Sequence, residues 1–408
     1  MSTPQLPGDI EAFRASARAF IETTLPALPS KSEIDSDDRP SISLFTERAA
    51  ELAAVGAARQ WRAAKFDAGF GWLSGPVAYG GAGLPEEYER HYAAVELGYD
   101  VPPEDSFATG LEGLGQTILQ HGSDHLKELL LRRIFRGDLI TCLLFSEPGA
   151  GSDLASVRTK AVREGGGDWV VNGQKVWSSR THYADLGLLL ARTGTEDERG
   201  RGITAFLVDI DSPGLQVRPL VEMTGDAGFN EIFLDGVRIP DDRRLGDLGG
   251  GWAIYLAIMA ASRDALARSR RRGGRGGLAA VASAERVAGV LQRLGKQDVP
   301  TLRQDWARLY IHYKVNQLTS ERLAAEWSEP NAAAAARAMG KLALSDAMSA
   351  AAQLVAQALG PRILADTGEI DSFDWQPFLL QTPAFHIGGG TDQIMRNLIA
   401  ERGLGLPR

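Results

Sequence analysis

The sequence predicts an α+β protein: an N-terminal α-helical bundle, a small middle β-barrel or sandwich, and a C-terminal α-helical bundle. Apolar residues recur at helical spacing in the first part of the chain, short alternating runs follow from Leu139, and helical spacing returns from Gly251. The 408 residues also exceed the size of about 250–300 residues at which a single core stops growing. We therefore expect domains at 1–138, 139–246 and 247–408.

The first domain is expected to be helical throughout. Asp9 precedes an apolar stripe over residues 10–21 and is assigned as its N-cap. A second helix is predicted over Leu44–Phe66, a third pattern stops at Gly122, and a further helix is predicted over Leu126–Phe135.

The middle domain is predicted from short β-type runs separated by turn residues such as Asn172-Gly173. The runs are Ile140–Phe145, Trp169–Val171, Lys175–Ser178, Leu186–Ala191, Ile203–Val208, Leu215–Pro219 and Ile232–Val237. Long helices are predicted beyond them, at Thr301–Trp327 and Asn331–Leu359. Arg268–Gly277, rich in arginine and glycine, is interpreted as a loop, either a solvated linker or a cationic rim for a phosphate-bearing ligand.

Composition excludes several classes of function. The net charge of −8 argues against nucleic acid as the main partner, because such proteins need a basic surplus. Cys142 is the only cysteine, so neither an intrachain disulfide nor a cysteine-based metal site can form, and no metal is expected. The N-terminus lacks a secretory signal pattern, and the apolar run at Trp252–Ala261 is shorter than the roughly 20 residues that span a bilayer. We expect a cytoplasmic protein that does not cross a membrane.

Four segments carry the functional signal. They are Phe145–Asp153, Val171–Ser179, Phe229–Pro240 and Gly388–Asn397. In order and spacing they closely resemble the signature segments of the acyl-CoA dehydrogenase family, and the similarity extends over nearly the whole chain. The resemblance implies an FAD-dependent oxidoreductase that dehydrogenates acyl-CoA thioesters at the α and β carbons. It also implies an external electron acceptor such as an electron-transfer flavoprotein.

The first two segments are implied to bind the flavin. Glycines at 149 and 151 would let the backbone approach a flat ligand. By resemblance, the residues that line the flavin are Leu143, Phe145, Ser146, Trp177, Ser178 and Ser179. Ser152 is implied to face the CoA side. The Ser179 hydroxyl is implied to reach flavin N5, and many relatives carry threonine at the position of Ser179. The alternative for Trp177 is a buried core indole.

The last segment is implied to reach both cofactor and thioester. Thr391 follows three glycines and is predicted to be a helix N-cap, so that backbone amides face whatever lies before the helix. The resemblance assigns Thr391 and Gln393 to FAD, and Gln357 to the FAD of a neighbouring subunit, which implies a homo- or hetero-oligomer. In the third segment, Glu231 is expected to serve the fold rather than catalysis.

The family's catalytic glutamate is missing from both of its usual places. One place corresponds to Gly389, and the other corresponds to Ser262, which precedes Arg263 in the helix after Gly251-Trp252. Neither glycine nor serine is a base of ordinary strength. Gly389 retains the backbone amide that polarises the thioester in the family, and Ser262 and Arg263 are assigned to the substrate side.

Several explanations for the missing glutamate stay open. Asp264, Asp392 and His386 are the nearest titratable candidates for a substitute base. Alternatively, the chain is the base-less subunit of a hetero-oligomer, or the fold serves a flavin oxidase or monooxygenase reaction that needs no α-proton removal. A catalytically silent CoA- or flavin-binding protein is the remaining alternative.

Overall fold

The structure, a computed structural model, describes residues 6–28, 48–271, 282–326, 330–365 and 375–407. Helices, a β-sheet and further helices follow one another along the chain, which confirms the predicted fold class. Two compact units are present. The first contains the described residues up to 271 except 223–225, which group with the residues from 282 onward in the second unit. The three domain boundaries drawn from the sequence remain predictions.

The helices of the first unit agree with the sequence patterns. They are α1 (Ile10–Thr24), α2 (Arg48–Asp67), α3 (Glu87–Glu96), α4 (Gly115–His121), α5 (Asp124–Arg136) and α6 (Gly251–Arg271). Asp9 caps α1 as predicted, accepting a hydrogen bond of 2.9 Å from the Ala12 amide. A π-helical segment, Thr109–Leu114, leads into α4. Residues 44–47 of the predicted second helix lie outside the described ranges.

One helix fits the general prediction for this domain, and one interpretation needs correction. The polar segment Glu87–Glu96 is helix α3, in keeping with a first domain predicted to be helical throughout, and Tyr88, Tyr92 and Val95 supply its buried face. The Arg268–Gly277 segment is not a loop from its first residue, since α6 continues to Arg271. Arginine is a good helix former, so the helix extends towards the glycines that follow. Residues 272–281 lie outside the described part of the chain.

The middle sheet contains eight strands in one hydrogen-bonded array. They are β1 (Thr141–Leu144), β2 (Lys160–Arg163), β3 (Trp169–Ser179), β4 (Leu186–Arg192), β5 (Ile203–Asp209), β6 (Leu215–Leu220), β7 (Phe229–Ile239) and β8 (Arg244–Leu245). The order is β6-β7-β3-β2-β4-β5-β8, with β1 pairing to β4. Every residue of β4 is buried, and its side chains alternate between two apolar clusters on the two faces of the sheet.

The predicted turn at Asn172-Gly173 is wrong, because both residues lie inside the single strand β3. The neighbouring strand β7 carries an extra residue opposite this point, and the Asn172 side chain accepts a hydrogen bond of 2.8 Å from the Gly236 amide. A Cβ on Gly173 would come within 2.5 Å of Thr159 Oγ1, so glycine is required by a close strand approach. An Asn-Gly pair therefore marks a bulge here rather than a hairpin.

The second unit is helical. Its helices are α7 (Ala284–Arg293), α8 (Pro300–Glu326), α9 (Pro330–Leu359), α10 (Gln376–Phe385) and α11 (Asp392–Leu398). Its core is formed by one face of α9, including Met348, Ala351 and Val355, against α7 and α10. Ala333–Leu364 is long and apolar enough to span a membrane, unlike the shorter run considered from sequence, but half of its apolar window is buried inside the protein. Such burial is typical of the core helix of a globular protein.

Candidate functional site

The segment after β1 forms a tight loop that lies against β3. The amide of Glu147 donates to the Ala150 carbonyl at 3.1 Å, and the amide of Ala150 returns a bond of 3.0 Å to the Glu147 carbonyl. The Val176 amide donates to the Ser146 carbonyl at 2.9 Å, which joins this loop to β3. Phe145 is buried at the start of the loop, whereas Leu143 and Ser146 are half-buried. The two segments implied to line a flavin are therefore adjacent.

A buried ion pair holds the loop in place. Lys175 Nζ lies 2.8 Å from Glu147 Oε1 and also donates to the Phe145 carbonyl at 2.9 Å. The other bonds to Glu147 come from the backbone amides of Arg158 and Thr159, at 2.7 and 2.8 Å. The Lys175 side chain is 0% exposed. Every polar group of the pair thus has a partner, as a buried charge requires.

Sequence reasoning missed this pair, although both residues lie in the quoted segments. Burial lowers the pKa of Lys175 to about 8, against the opposing effect of Glu147. Burial acts to raise the pKa of Glu147, but Lys175 and the hydrogen bonds outweigh it and leave that pKa lowered. Both groups are therefore charged near neutral pH. Alternation in β3 could have indicated that Lys175 is buried, because its neighbour Gln174 is on the opposite face.

None of the described residues fills the space beside the loop glycines. A Cβ placed on Gly149 or Gly151 would meet no atom within 4 Å, and both residues are exposed. Ser152 is also exposed and follows directly. The fold's own packing does not require glycine at 149 or 151, so the open space is available to a ligand that approaches the backbone.

Trp177 is the most unusual residue of the sheet. Its indole is 60% exposed, so the alternative of a buried core tryptophan is wrong. Its φ of 61° lies in the left-handed region, which a bulky side chain rarely adopts. β3 carries one extra residue between Lys175 and Ser178 relative to β7, and this bulge turns the indole outward, with Phe229 at its edge 5.9 Å away. Backbone strain that presents a large aromatic ring to the exterior is typical of a ligand-binding position.

The serines after Trp177 point to opposite faces. Ser179 is exposed on the same side as Trp177, whereas Ser178 is only 2% exposed. The Ser178 hydroxyl has no hydrogen-bond partner among the described residues. Only Ser179 therefore offers its hydroxyl to a ligand beside the indole.

A chain of polar side chains supports this end of β3. Asn230 on β7 donates to the Ser178 carbonyl at 3.1 Å, and its amide nitrogen lies 3.3 Å from His182 Nδ1. His182 Nε2 in turn lies 3.1 Å from a carboxylate oxygen of Glu51 on α2. These contacts connect the strand end to helix α2 and restrict the backbone that carries Trp177.

The structure describes the side chain of Glu231 but not those of the candidates on helix α6. Ser262 and Arg263 lie in α6, as predicted, but their side chains and that of Asp264 lie outside the described residues. Glu231 accepts a hydrogen bond of 2.6 Å from Gln174 on the neighbouring strand, in keeping with its expected place in the sheet.

In the second unit, a glycine turn precedes α11. Thr391 caps that helix as predicted, because its Oγ1 accepts a hydrogen bond of 3.3 Å from the Ile394 amide. Gly389 and Gly390 have φ values of 69° and 102°, which favour glycine at both positions. Within the described residues, nothing accepts a backbone hydrogen bond from their amides. Gly389 is exposed, and a Cβ there would meet nothing within 4 Å.

A hydrogen-bond network holds this turn against α9. Asp392 accepts a bond of 2.7 Å from Lys341 Nζ, and its other oxygen lies 2.7 Å from His386 Nδ1. Ser349 Oγ lies 2.8 Å from His386 Nε2. Burial acts to raise the pKa of Asp392, but its bonds to His386 and Lys341 outweigh it and lower that pKa. Asp392 is consequently a weak proton acceptor, which argues against it as the substitute base.

The sequence candidates thus fall into two groups, one in each unit. The first unit brings together Leu143, Phe145, Ser146, Ser152, Trp177, Ser178 and Ser179. The second unit holds Gln357, Gly389, Thr391 and Gln393. Gln357 and Gln393 are exposed, and their roles towards FAD remain predictions.

Two family models match the chain. The acyl-CoA dehydrogenase middle domain matches residues 142–237, and the acyl-CoA dehydrogenase C-terminal domain matches residues 249–404. Together these matches cover most of the sheet, α6 and nearly all of the second unit, including both groups of candidate residues.

Individual proteins are similar over different lengths. Acyl-CoA dehydrogenase IpdE1 of Mycobacterium tuberculosis is 31% identical over 401 residues, which cover 98% of each chain. Acyl-CoA dehydrogenase FadE34 of the same organism is 38% identical over 296 residues, 72% of this chain but only 39% of the longer protein. Among solved structures, the ChsE4-ChsE5 complex from M. tuberculosis has a chain with a TM-score of 0.69 and 26% identity, over 98% of both chains.

Proposed function

Because this chain belongs to the acyl-CoA dehydrogenase family of flavoenzymes, we propose that it binds FAD and serves the α,β-dehydrogenation of an acyl-CoA thioester. Trp177 is the observation that carries the proposal, since a strained backbone presents its indole outward beside the exposed Ser179 hydroxyl. An external acceptor such as an electron-transfer flavoprotein would reoxidise the cofactor, and the cytoplasm is the proposed location.

The described residues fit a flavin. Trp177 offers a flat apolar surface, and Ser179 offers a hydroxyl donor on the same face. Ser146 lies on the adjacent loop, which is held in place by the buried Glu147–Lys175 ion pair. The open space beside Gly149 and Gly151 allows close approach of a planar ring to the backbone. An aromatic platform, polar groups and a rigid loop are the features that orient a cofactor.

Bound FAD would supply the acceptor for the hydride that leaves the substrate's β carbon. The residues of this chain then have two tasks, which are to orient the thioester and to receive the α-proton. For the first, the amide of Gly389 is available to donate a hydrogen bond to the thioester oxygen, because no described backbone group accepts it. For the second, neither Gly389 nor Ser262 has a basic side chain, so this chain lacks the family's usual proton acceptor.

Replacing Trp177 with alanine is expected to raise the dissociation constant for FAD about 5- to 150-fold. Stacking of a flat heteroaromatic ring on an aromatic side chain contributes about 1–3 kcal/mol, and alanine removes that surface. Titration of apoprotein with FAD, followed by flavin fluorescence, measures the change. Trp177→Phe, which retains a ring, is the matched control and should bind close to the original affinity. If Trp177→Ala binds FAD as tightly as the unmodified protein, Trp177 does not contact the flavin.

The absence of both glutamates supports a place in a hetero-oligomer. We propose that this chain pairs with a related chain that bears the catalytic glutamate, while its own residues hold flavin or CoA. The ChsE4-ChsE5 complex is a similar protein assembled from two different chains. The exposed Gln357, assigned by resemblance to a neighbour's FAD, is suited to such an assembly.

Co-expression with a related chain that carries a glutamate at either family position is expected to yield a complex larger than the single chain. Size-exclusion chromatography with light scattering gives the mass, and mass spectrometry identifies the partner. Gln357→Ala should lower flavin content without dissociating the complex if this side chain touches a neighbour's cofactor. A monomer that retains FAD tightly and reduces it rapidly with acyl-CoA would contradict the proposal.

The same fold with no base also suits a flavin oxidase or monooxygenase reaction. Oxygen consumption by the FAD-loaded protein, without flavin bleaching by any acyl-CoA, would favour that reaction over dehydrogenation. FAD binding with neither activity would favour a silent binding subunit.

A further inference from the structure

The second unit contains a serine, a histidine and an aspartate in an order that activates nucleophiles. Ser349 Oγ lies 2.8 Å from His386 Nε2, and His386 Nδ1 lies 2.7 Å from Asp392 Oδ2. The two ring nitrogens thus serve different partners, one the hydroxyl and the other the carboxylate. Nucleophile, base and orienting carboxylate within hydrogen-bond reach are the geometric signature of nucleophilic catalysis, whatever the fold.

The network also determines which nitrogen carries the proton. Asp392 is buried and ionised, because its other oxygen accepts a bond of 2.7 Å from Lys341 Nζ. An ionised carboxylate only accepts hydrogen bonds, so His386 Nδ1 must be the protonated nitrogen facing it. In the neutral imidazole the lone pair is then on Nε2, where it faces the Ser349 hydroxyl.

The same residues do not suit a metal ion. Ligand atoms of Asp346, His386 and Asp392 lie within 4.8 Å of one another. However, the Lys341 ammonium already contacts Asp392, and both nitrogens of His386 are engaged. A cation shared by His386 and Asp392 would have to compete with that ammonium and replace a histidine hydrogen bond, so we interpret these contacts as a hydrogen-bonded relay.

Helix α9 places the serine where a small reagent can reach it. Lys341, Ser345 and Ser349 are spaced four residues apart and lie on one face of the helix. Ser345 is buried and donates to the Phe385 carbonyl at 2.8 Å, which fixes the turn. Ser349 is half-buried, and the His386 side chain is 32% exposed.

We propose that Ser349, His386 and Asp392 form a catalytic triad for acyl transfer, a reaction that needs no flavin, with small activated esters and thioesters as its substrates. Ser349 Oγ attacks the carbonyl carbon while His386 Nε2 takes the hydroxyl proton. The carbon–sulfur or carbon–oxygen bond then breaks, and the leaving thiolate or alkoxide receives the proton from His386. Water next attacks the acyl-serine and releases the acid, with His386 again accepting and returning the proton.

The first test uses a fluorophosphonate probe on the full-length protein. Loss of fluoride should leave one phosphonyl group covalently attached to Ser349, identified by intact mass and peptide mapping. Ser349→Ala should abolish labelling, His386→Gln should slow it at least about 100-fold, the lower end of general-base effects, and Asp392→Asn should also slow it. Ser16→Ala, on helix α1 in the first unit, is the control and should be labelled at the rate of the unmodified protein. p-Nitrophenyl acetate should give a burst of nitrophenolate with the same ranking of variants.

A second test measures the effect of His386 on position 349 without a hydroxyl nucleophile. Cys142 is buried and its pKa is raised to about 12 by burial, so iodoacetamide reports only an introduced thiol. At about pH 6.5, where an ordinary thiol of pKa about 8.5 is about 1% ionised, Ser349→Cys should react at least about tenfold faster than Ser349→Cys in a His386→Gln background. Comparison of the circular dichroism spectra establishes that both variants are folded.

The absence of a fluorophosphonate adduct on Ser349 in the unmodified protein overturns the proposal. So does equal alkylation of the two cysteine variants, since His386 would then exert no activating effect at this position. An adduct that forms equally fast in His386→Gln would show a reactive serine without a triad and would also refute the assignment. Neither measurement depends on FAD, so failure of the flavin proposal leaves this test intact.

Discussion

Lys175→Met is expected to lower the free energy of unfolding by about 3–5 kcal/mol. The substitution leaves the Glu147 carboxylate buried without its partner, and an uncompensated buried charge has a cost of this size. Lys175 Nζ also donates to the Phe145 carbonyl, so the loop that carries Ser146 loses a second bond. Flavin retention should therefore fall together with stability. Urea denaturation monitored by circular dichroism measures the first effect, and absorbance after gel filtration measures the second.

Two comparisons separate the buried pair from a general loss of positive charge. Lys160→Met removes an exposed lysine from the neighbouring strand β2 and should change stability little. The double variant Glu147→Leu/Lys175→Met removes both charges and should recover part of the loss, because no unpaired carboxylate is left. An unchanged unfolding midpoint in Lys175→Met would show that the loop does not depend on the pair.

Gly389→Glu is expected to accelerate reduction of bound FAD by acyl-CoA at least about 100-fold in the isolated, cofactor-loaded chain. A positioned general base contributes about 10²–10⁴-fold, and the resemblance assigns the family's glutamate to this position. The new side chain has room, since a Cβ at Gly389 meets no atom within 4 Å. The left-handed φ of 69° adds a cost of about 1 kcal/mol in stability. Stopped-flow bleaching of the flavin absorbance measures the rate.

The control for this substitution is Gly389→Gln, which has the same length and backbone strain but no carboxylate. It should remain as slow as the unmodified chain. Ser262→Glu, on helix α6, tests the second family position without positive-φ strain, and Ser262→Gln is its control. Rapid bleaching by the unmodified chain would show that it already has a base, and a pH profile rising through the histidine range would then indicate His386. If no variant reduces its flavin while FAD and acyl-CoA are both bound, the protein's function does not involve α-proton removal.

Local patterns in the sequence determined the fold class and most elements. Periodicity predicts α1, the buried strand β4 and the long helices α8 and α9, and the N-caps Asp9 and Thr391 follow from residue type next to an apolar run. These features depend on neighbours along the chain. The four signature segments are also local, so the family could be identified from them before any contact was known.

Tertiary structure decided what those residues do. The outward turn of Trp177 depends on a bulge in the β3–β7 register, which no property of the segment by itself reveals. The Glu147–Lys175 pair joins residues far apart in sequence, and its existence follows from the burial of one strand face. Likewise, Ser349 and His386 lie on different elements, and only the packing of α9 against the glycine turn brings hydroxyl and imidazole within 2.8 Å. Sequence order determines which chemical groups are available, and packing determines which of them meet.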